Sequence, residues 1–304
     1  MKNYKILILL VLLVVGGGIF YRFRQPTTTP KSVTPTDYYD LTTKKITVKN
    51  IDFGNTTGLK KATAKLLTAQ DLAKKLGFKT EPQKEVRALT WSEGSRELLV
   101  NASAAFDFSD DARAKKGSLK NSTEAEKVAT DFIHNVGLLE NDFAVKVAKV
   151  DLIIEGRNYS PDFASAKFLA VHFDITYLDK LIYFQPEGQT RLEVWVDKQG
   201  NVTRFTGPLL TVSRDPQDAS LRNPKEVLSE LREGKGKIVK ITQIQTPSSG
   251  KGENLSYSQL SFDRGEIVYR FDSGQIEPVY QAVGQAKNPD QKELNIYVHL
   301  TALQ

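Results

Sequence analysis

A strict alternation of apolar and other residues between positions 169 and 177 most constrains what this chain can fold into. The apolar positions are Leu169, Val171, Phe173, Ile175 and Tyr177. Successive side chains of a strand point to opposite faces of its sheet, so the pattern predicts a half-buried strand. It returns at Leu192, Val194 and Val196, and Asp197-Lys-Gln-Gly200 then predicts a hairpin turn, since Gly adopts positive φ at little cost.

Further strands are predicted on both sides of this hairpin, several of them joined by short turns that contain Gly. They are Val86–Thr90 with Leu98–Phe108 around Ser92–Ser95, Glu266–Phe271 with Gln275–Val283 around Asp272–Gly274, and finally Glu293–Leu300. Strands joined by short turns pair antiparallel. The sequence therefore predicts antiparallel sheets along most of its length.

Three amphipathic helices are predicted ahead of these groups of strands. Asp71-Leu-Ala-Lys-Lys-Leu-Gly-Phe78 and Asp131-Phe-Ile-His-Asn-Val-Gly-Leu138 share one pattern, a weak internal repeat in which Gly follows the last helical turn. The third helix, Pro224 to Arg232, has Asn223 as its predicted cap and Gly234 beyond its end.

The middle helix has the clearest amphipathic pattern. Thr123 is its predicted cap, and Glu126 would complete a capping box. One face carries Ala125, Val128, Ala129, Phe132, Ile133 and Val136. A helix followed by an antiparallel meander, repeated, predicts an α+β fold: an N-terminal transmembrane helix, then repeated units of one helix packed on an antiparallel sheet.

The apolar run Ile6 to Phe20 predicts the membrane segment of that fold. It carries no charge, and Lys2 and Lys5 precede it. As a helix it would span about 22 Å, against about 30 Å for the hydrocarbon core, and flanking side chains can close the gap. A cleaved signal peptide is the alternative, with Gly16-x-Gly18 as the cleavage signal. The aromatic and arginine residues Tyr21–Arg24 favour an uncleaved anchor.

The positive charge at the amino terminus favours an N-terminus inside the cell, with the bulk of the chain extracytoplasmic. The expected location is therefore the cell membrane, with a single pass. The predicted domains are an anchor (1–24), a Pro/Thr-rich linker (25–40), and three α+β units (41–118, 119–215 and 216–304).

Composition and charge limit the classes of partner that the chain is expected to bind. The chain has no Cys, a formal net charge of +6 and a pI near 9.2. The basic residues are scattered rather than collected in a run with interleaved aromatics, so we expect no nucleic-acid binding. The positive charge instead favours anionic headgroups or wall polymers near a membrane.

The three His residues are the first candidates for chemistry. His134 falls on the polar side of the middle helix, one turn from Asp131, where a solvated pair is expected. His172 shares one side of its strand with Asp174, and such a pair can bind a metal or act as a base. His299 alternates with apolar neighbours and is expected to be exposed.

The remaining candidate motifs lack the residues that their chemistry most strictly requires. Asp107, Ser109 and Asp111 alternate like the opening ligands of a calcium loop, but Ala112 and Ser118 stand where Gly and Glu are required. No HExxH, Cys/His cluster or G-x-S-x-G occurs.

Two Gly-Lys loops and two tryptophans complete the search. The loops, Gly234–Lys237 and Ser249–Gly252, lack the spacing that cradles phosphate and are interpreted as turns. Trp91 and Trp195 would suit a sugar site by stacking, but single core or surface aromatics are commoner. We therefore assign no catalytic, cofactor-binding or metal-binding residue, and expect no cofactor.

Five short segments carry a resemblance to a known family. They are Val194–Val202, Asn223–Gly234, Ile267–Tyr269, Ile276–Tyr280 and Ile296–Val298. With the layout of anchor, spacer and repeated units, they resemble exported regulators of the YycH/YycI type and PepSY-like domains. The resemblance implies a membrane-anchored ectodomain that binds another envelope protein, such as a sensor kinase, or restrains a peptidase. It implies no active-site residue.

The sequence thus predicts a non-enzymatic, membrane-anchored extracytoplasmic protein that binds and regulates another envelope protein. The alternative is an envelope hydrolase that acts on glycan or peptide through Asp and Glu, with His172 as a further candidate. Paired carboxylates perform such chemistry only at a defined separation in space, which the sequence does not give.

Overall fold

The structure is a computed structural model, and it describes most of the chain beyond residue 40. The described residues are 41–42, 44–65, 67–102, 105–112, 117–139, 142–154, 158–184, 192–209, 211–212, 216–243, 257–272, 274–287 and 293–304. They belong to one compact unit, Asp40–Gln304. The predicted anchor (1–24), including Ile6 to Phe20, and the predicted linker (25–40) lie outside them.

Strands dominate the described residues, with seventeen strands against three helices. The helices are α1 (Ala69–Lys75), α2 (Ser122–Val136) and α3 (Pro224–Arg232). The first nine strands are β1 (Lys45–Val48), β2 (Lys60–Lys65), β3 (Gln83–Lys84), β4 (Ala88–Glu93), β5 (Arg96–Asn101), β6 (Ala105–Asp110), β7 (Phe143–Ile153), β8 (Phe168–Tyr177) and β9 (Lys180–Phe184). The others are β10 (Leu192–Asp197), β11 (Val202–Pro208), β12 (Thr211–Val212), β13 (Gln217–Asp218), β14 (Lys237–Gln243), β15 (Gln259–Asp272), β16 (Gln275–Lys287) and β17 (Glu293–Thr301).

Eight strands form the part that we call the N-terminal sheet, in the order β3-β4-β5-β6-β11-β10-β8-β7. All of these pairs are antiparallel. Helix α2 packs on its inner face, where Phe132 contacts the rings of Phe205 at 5.3 Å and Phe108 at 6.3 Å. The predicted inner residues of β8 are all buried, which confirms the alternation seen in the sequence.

Five strands form the C-terminal sheet, in the order β14-β17-β16-β15-β1. Only the pair of β1 with β15 is parallel in this set. Helix α3 contacts β1 and β17 and buries Val227, Leu228 and Leu231. Apolar side chains from both the helix and the sheet thus form the core of this part.

Strand β9 joins the two sheets. It forms a tight hairpin with β8, in which Tyr177 pairs with Lys180, and then runs parallel to β15 from Ile182 to Phe184. The rings of Tyr177 and Tyr269 meet edge to face at this junction, with centroids 4.9 Å apart. Strand β2 pairs with β16 of the C-terminal sheet and also with β12 and β13, which follow β11 in the chain. All the strands therefore belong to one connected mixed sheet.

The predicted fold class, an N-terminal transmembrane helix followed by repeated units of one helix packed on an antiparallel sheet, is wrong. Strands from different predicted units pair with each other: Phe108 of β6 faces Phe205 of β11, and Ile46 of β1 faces Leu260 of β15. The described chain is mainly β with one large mixed sheet. Hydrophobic periodicity predicts a strand but not its partner, and the prediction assumed that partners were neighbours in sequence.

The predicted transmembrane helix, signal anchor and single-pass extracytoplasmic location are also corrected. Within the described ranges, no helix is long and apolar enough to cross a membrane. The longest of them, α2, has 15 residues and spans about 22 Å. The hydrocarbon core is about 30 Å thick.

Local signals were predicted more accurately than topology. Helix α3 begins and ends as expected, since Asn223 accepts a hydrogen bond from the Lys225 amide at 3.0 Å and Gly234 has φ 77°. Helix α2 is capped by Asn121 rather than Thr123, and the Asn121 side chain accepts from the Glu124 amide. The predicted strand Leu98–Phe108 is two strands, β5 and β6.

The tyrosine pair at the junction yields a matched test. Tyr269 Oη accepts a hydrogen bond from the Lys60 amide at 3.2 Å, whereas Tyr177 Oη is buried without a partner among the described residues. Replacing Tyr269 by Phe should lower the free energy of unfolding by about 1 kcal/mol, since the part-buried Lys60 amide loses its acceptor.

The control is Tyr177→Phe, which keeps the ring contact and removes only an unsatisfied hydroxyl. It should leave the free energy of unfolding unchanged or raise it slightly. Urea denaturation of the two variants measures the difference. Equal destabilisation by both would contradict the assignment of Tyr269 as the acceptor for Lys60.

Candidate functional site

A band of charged and aromatic side chains crosses the outer face of the N-terminal sheet, opposite α2. The alternation that buries the inner residues of β8 places His172 on this face, with its side chain 14% exposed. The register of the strands brings its neighbours from four other strands. The band has two rows, each with one residue from β6, β11, β10, β8 and β7 in that order. The first row is Asp107, Thr206, Glu193, His172 and Lys149. The second row is Ser109, Arg204, Trp195, Ala170 and Asp151. We call these ten residues the outer-face band.

Arg204 forms one end of the polar network in the band. Its Nε donates to Asp107 Oδ1 at 2.9 Å, and a second guanidinium nitrogen donates to Asp107 Oδ2. Hydrogen bonding to Asp107 raises the pKa of Arg204 above its ordinary value. The guanidinium carbon lies 5.7 Å from the centre of the Trp195 ring, within reach of a cation–π interaction.

Trp195 is held on several sides. Its indole Nε1 donates to Glu193 Oε1, and its ring lies 5.9 Å from that of Phe168. Together with Arg204, these contacts fix the orientation of a half-buried indole on an outward face.

His172 forms the other end of the network. Its Nε2 lies 2.9 Å from Asp151 Oδ2, and its Nδ1 lies 3.3 Å from Glu193 Oε2. The first contact has ion-pair distance without the alignment of a hydrogen bond. Asp151 also accepts from Lys149 Nζ at 2.6 Å. Both carboxylates that face His172 are therefore engaged with further donors of the band.

The geometry of the outer-face band differs from that of the two described cavities. The side chains interlock across an open sheet face, and the two described cavities of about 540 and 330 Å³ are lined by other residues. A general base needs a place for the reacting group within hydrogen-bond reach. An ordered Trp–Arg pair surrounded by charges is instead typical of the residues that dominate binding energy at protein interfaces.

A second polar cluster, which we call the C-terminal row, lies on the C-terminal sheet. Glu266, Gln281, His299 and Lys237 face one another in adjacent strands β15, β16, β17 and β14. The expectation that His299 is exposed is wrong, because it is only 3% exposed. The ring of Tyr183 from β9 packs edge-on against it, with centroids 4.9 Å apart.

Burial sets the ionisation of His299 and of Tyr183, which packs against it. Desolvation, followed by the positive charges of Arg270 and Lys237, lowers the pKa of His299 to about 3. Desolvation also raises the pKa of Tyr183 to about 12, against the opposing effect of its hydrogen bond with Gln281. At neutral pH both side chains are uncharged.

The structure separates the other sequence candidates. His134 is exposed on α2, as expected. Trp91 is 1% exposed in the core and cannot stack on a sugar, whereas Trp195 lies in the outer-face band. Asp107 belongs to strand β6 and pairs with Arg204, in agreement with the rejection of a calcium loop. The loop Ser249–Gly252 lies outside the described residues.

Sequence reasoning singled out His172 but missed Asp151 and Glu193 as its neighbours. Its alternation with Leu192 and Val194 places Glu193 on the outer face of its strand. The sequence does not give the strand register that brings Glu193 and Asp151 beside His172. Within the described part of the chain, no group of three or more His, Cys, Asp or Glu side chains is placed to hold a metal ion.

Comparison with known proteins adds no relative: no protein-family model and no curated protein matches the chain. The resemblance to regulators of the YycH/YycI type and to PepSY-like domains therefore stays a prediction.

The pKa of His299 predicts an acid-sensitive stability. In the unfolded chain an imidazole titrates near 6.5, and in the folded protein this one titrates near 3. Between these values the unfolded state binds a proton that the folded state does not. The stabilisation is complete above about pH 6.5 and is lost as pH falls towards 3, by up to about 1.4 kcal/mol per pH unit.

Urea denaturation at several pH values measures this slope. His299→Gln should reduce the loss of stability between pH 6 and 4. The matched control His134→Gln removes an exposed imidazole and should leave the slope unchanged. Identical slopes in all three proteins would show that His299 takes up its proton equally in both states.

Proposed function

We propose that the chain is a non-catalytic module that binds and regulates another protein, and that the outer-face band is its docking surface. The observation that carries the proposal is the indole of Trp195, held half-buried on the outer face between Arg204 and Glu193. Trp and Arg are the residues most often found at the energetic centre of protein interfaces. Because neighbouring side chains already orient them, little conformational entropy remains to be lost on binding.

The charge of the band indicates the chemistry of the partner. Asp107, Glu193 and Asp151 supply three carboxylates, and Arg204 and Lys149 supply two cations. The excess negative charge is local, since the whole chain carries a formal net charge of +6. A partner surface that is basic around an apolar recess for Trp195 complements this pattern.

The resemblance to YycH/YycI-type regulators supports the same class of function. It implies that such a chain acts by holding another protein, such as a sensor kinase, rather than by chemistry of its own. A sheet face suits contact with a folded partner, because its side chains stand in rows.

The experiment compares four immobilised full-length proteins: the native chain, Trp195→Leu, Asp151→Asn and Asp131→Asn. Asp131 is an exposed residue of α2, on the other side of the N-terminal sheet, and is matched in chemistry to Asp151. Proteins retained from an extract of the source cells are quantified by mass spectrometry. We expect one protein that native and Asp131→Asn chains retain equally, with at least a tenfold loss for Trp195→Leu and a smaller loss for Asp151→Asn.

Two further readouts make the result specific. Circular dichroism and thermal melting establish that each variant is folded, and a moderate increase in salt should weaken retention because the partner surface is basic. If all four folded proteins retain the same set in the same amounts, the outer-face band is not a docking surface.

The alternative of a hydrolase rests on one observation, the placement of carboxylates of Asp151 and Glu193 beside the two nitrogens of His172. In a hydrolase of this kind His172 would act as a base oriented by those carboxylates. Turnover of glycan or peptide substrates by the purified chain, abolished in His172→Asn, would favour it. The engagement of both carboxylates by Lys149 and Trp195 favours the binding function.

A further inference from the structure

The larger of the two described cavities, of about 540 Å³, lies at one end of the C-terminal sheet. Its lining comes from the ends of β1, β15, β16 and β17 and from Ser258, just before β15. It shares no residue with the outer-face band or the C-terminal row. The volume is within the range of small-molecule sites. We call it the strand-end cavity.

A row of uncharged polar side chains crosses the lining. Thr47, Ser261 and Gln285 face one another in the adjacent strands β1, β15 and β16. Residues directly opposite in paired strands share a face of the sheet, so all three point to the same side. Leu260 and Ala286 alternate with them and are buried in the core, which holds the backbone under the cavity in place.

Side-chain length accounts for the concave shape. Thr47 and Ser261 are short, whereas Lys45 and Lys287, which follow at a spacing of two residues on the same face, are long and exposed. Strand β15 also has a bulge directly after Phe262, where its register with β16 shifts. Bulges bend a strand and are frequent next to functional sites.

The polar side chains of the lining are available to a ligand. Most are exposed, and none forms a hydrogen bond or ion pair with another described residue. They comprise three hydroxyls, two amides, two ammonium groups and one carboxylate. Hydroxyls and amides both donate and accept, so they complement a ligand whose own groups do the same. An apolar ligand would leave them dehydrated and unpaired.

The charges of the lining add a preference for a negative group. Lys45 and Lys287 supply two ammonium groups and Glu293 one carboxylate. Glu293 faces Lys287 in the register of β16 and β17. Two residues beyond Ser261, the carboxylate of Asp263 has two cations within ion-pair distance, so the surroundings also carry more positive than negative charge.

We propose that the strand-end cavity binds a sugar unit that carries a carboxylate, such as a uronic acid of a polysaccharide. The sugar hydroxyls exchange hydrogen bonds with Ser261, Gln285 and Glu293, and the sugar carboxylate accepts from Lys45 and Lys287. Because the lining side chains are exposed, a unit within a longer chain can enter as well as a terminal one. The site is separate from the outer-face band, and neither proposal depends on the other.

The test begins with the full chain on an array of immobilised oligosaccharides that differ in sugar, linkage and charge. We expect the highest retention on oligosaccharides that contain uronic acids. The best-retained one is then titrated by isothermal titration calorimetry beside its methyl ester, which keeps the ring hydroxyls and loses the charge. The ester should bind at least tenfold more weakly. Tetraglutamate, which has carboxylates without sugar hydroxyls, should also bind at least tenfold more weakly.

Variants assign the contacts. Gln285→Leu should weaken binding of the acidic oligosaccharide at least tenfold, because the amide is lost at similar side-chain size. The matched control is Gln83→Leu, at an exposed glutamine on β3, and it should have no effect. Lys287→Gln should reduce the preference for the acid over its ester without weakening the ester. Position 285 and position 287 are both exposed, and thermal melting establishes that each variant is folded.

Three results would overturn the proposal. The first is that no oligosaccharide on the array retains the native chain. The second is equal binding of the acid and its methyl ester, which would show that the carboxylate is not recognised. The third is equal binding of tetraglutamate and the acidic oligosaccharide, unchanged by Gln285→Leu, which would show a non-specific association with surface charge.

Discussion

The parallel pairing of β9 with β15 is the interaction on which the architecture depends. It brings the hairpin partner of β8 onto the C-terminal sheet, and it packs Tyr177 against Tyr269, both of them fully buried. The turn that makes this possible places Leu178 and Asp179 at φ 49° and 62°, a left-handed conformation that costs a non-Gly residue energy. That cost is offset because both sheets gain buried surface at the junction.

The junction also explains why the two polar clusters differ. The outer-face band lies on a sheet face open to solvent, so its charges can be exposed and paired at the same time. In the C-terminal row, His299 lies against Tyr183, which β9 carries across from the other sheet, and both His299 and Gln281 are removed from water. Strand β9 thus helps to create a buried, neutral imidazole on the C-terminal sheet.

The sequence predicts features that depend on residues close together in the chain, and it fails for features that depend on distant residues. Signals within a few residues hold: the inner face of β8, the turn at Gly200, and the Asn223 cap with Gly234 beyond α3. Signals that need a distant partner fail, since nothing near Ile46 indicates that it lies beside Leu260. The exposure of His299 was mispredicted for the same reason, because Tyr183 is remote in sequence. Alternation shows which face a residue is on, but not what covers that face.

The same limit applies to the candidate sites. His172, Glu193 and Trp195 could be placed on one face by alternation alone, but their neighbours Asp151 and Arg204 depend on register between strands far apart in the chain. Register is set by the packing of the opposite face, where a slip of one residue would expose the apolar side chains that α2 covers. The hydrophobic inner face therefore fixes the chemistry of the outer one. A substitution in the core of the N-terminal sheet that shifted a strand would disperse the band without touching any of its residues.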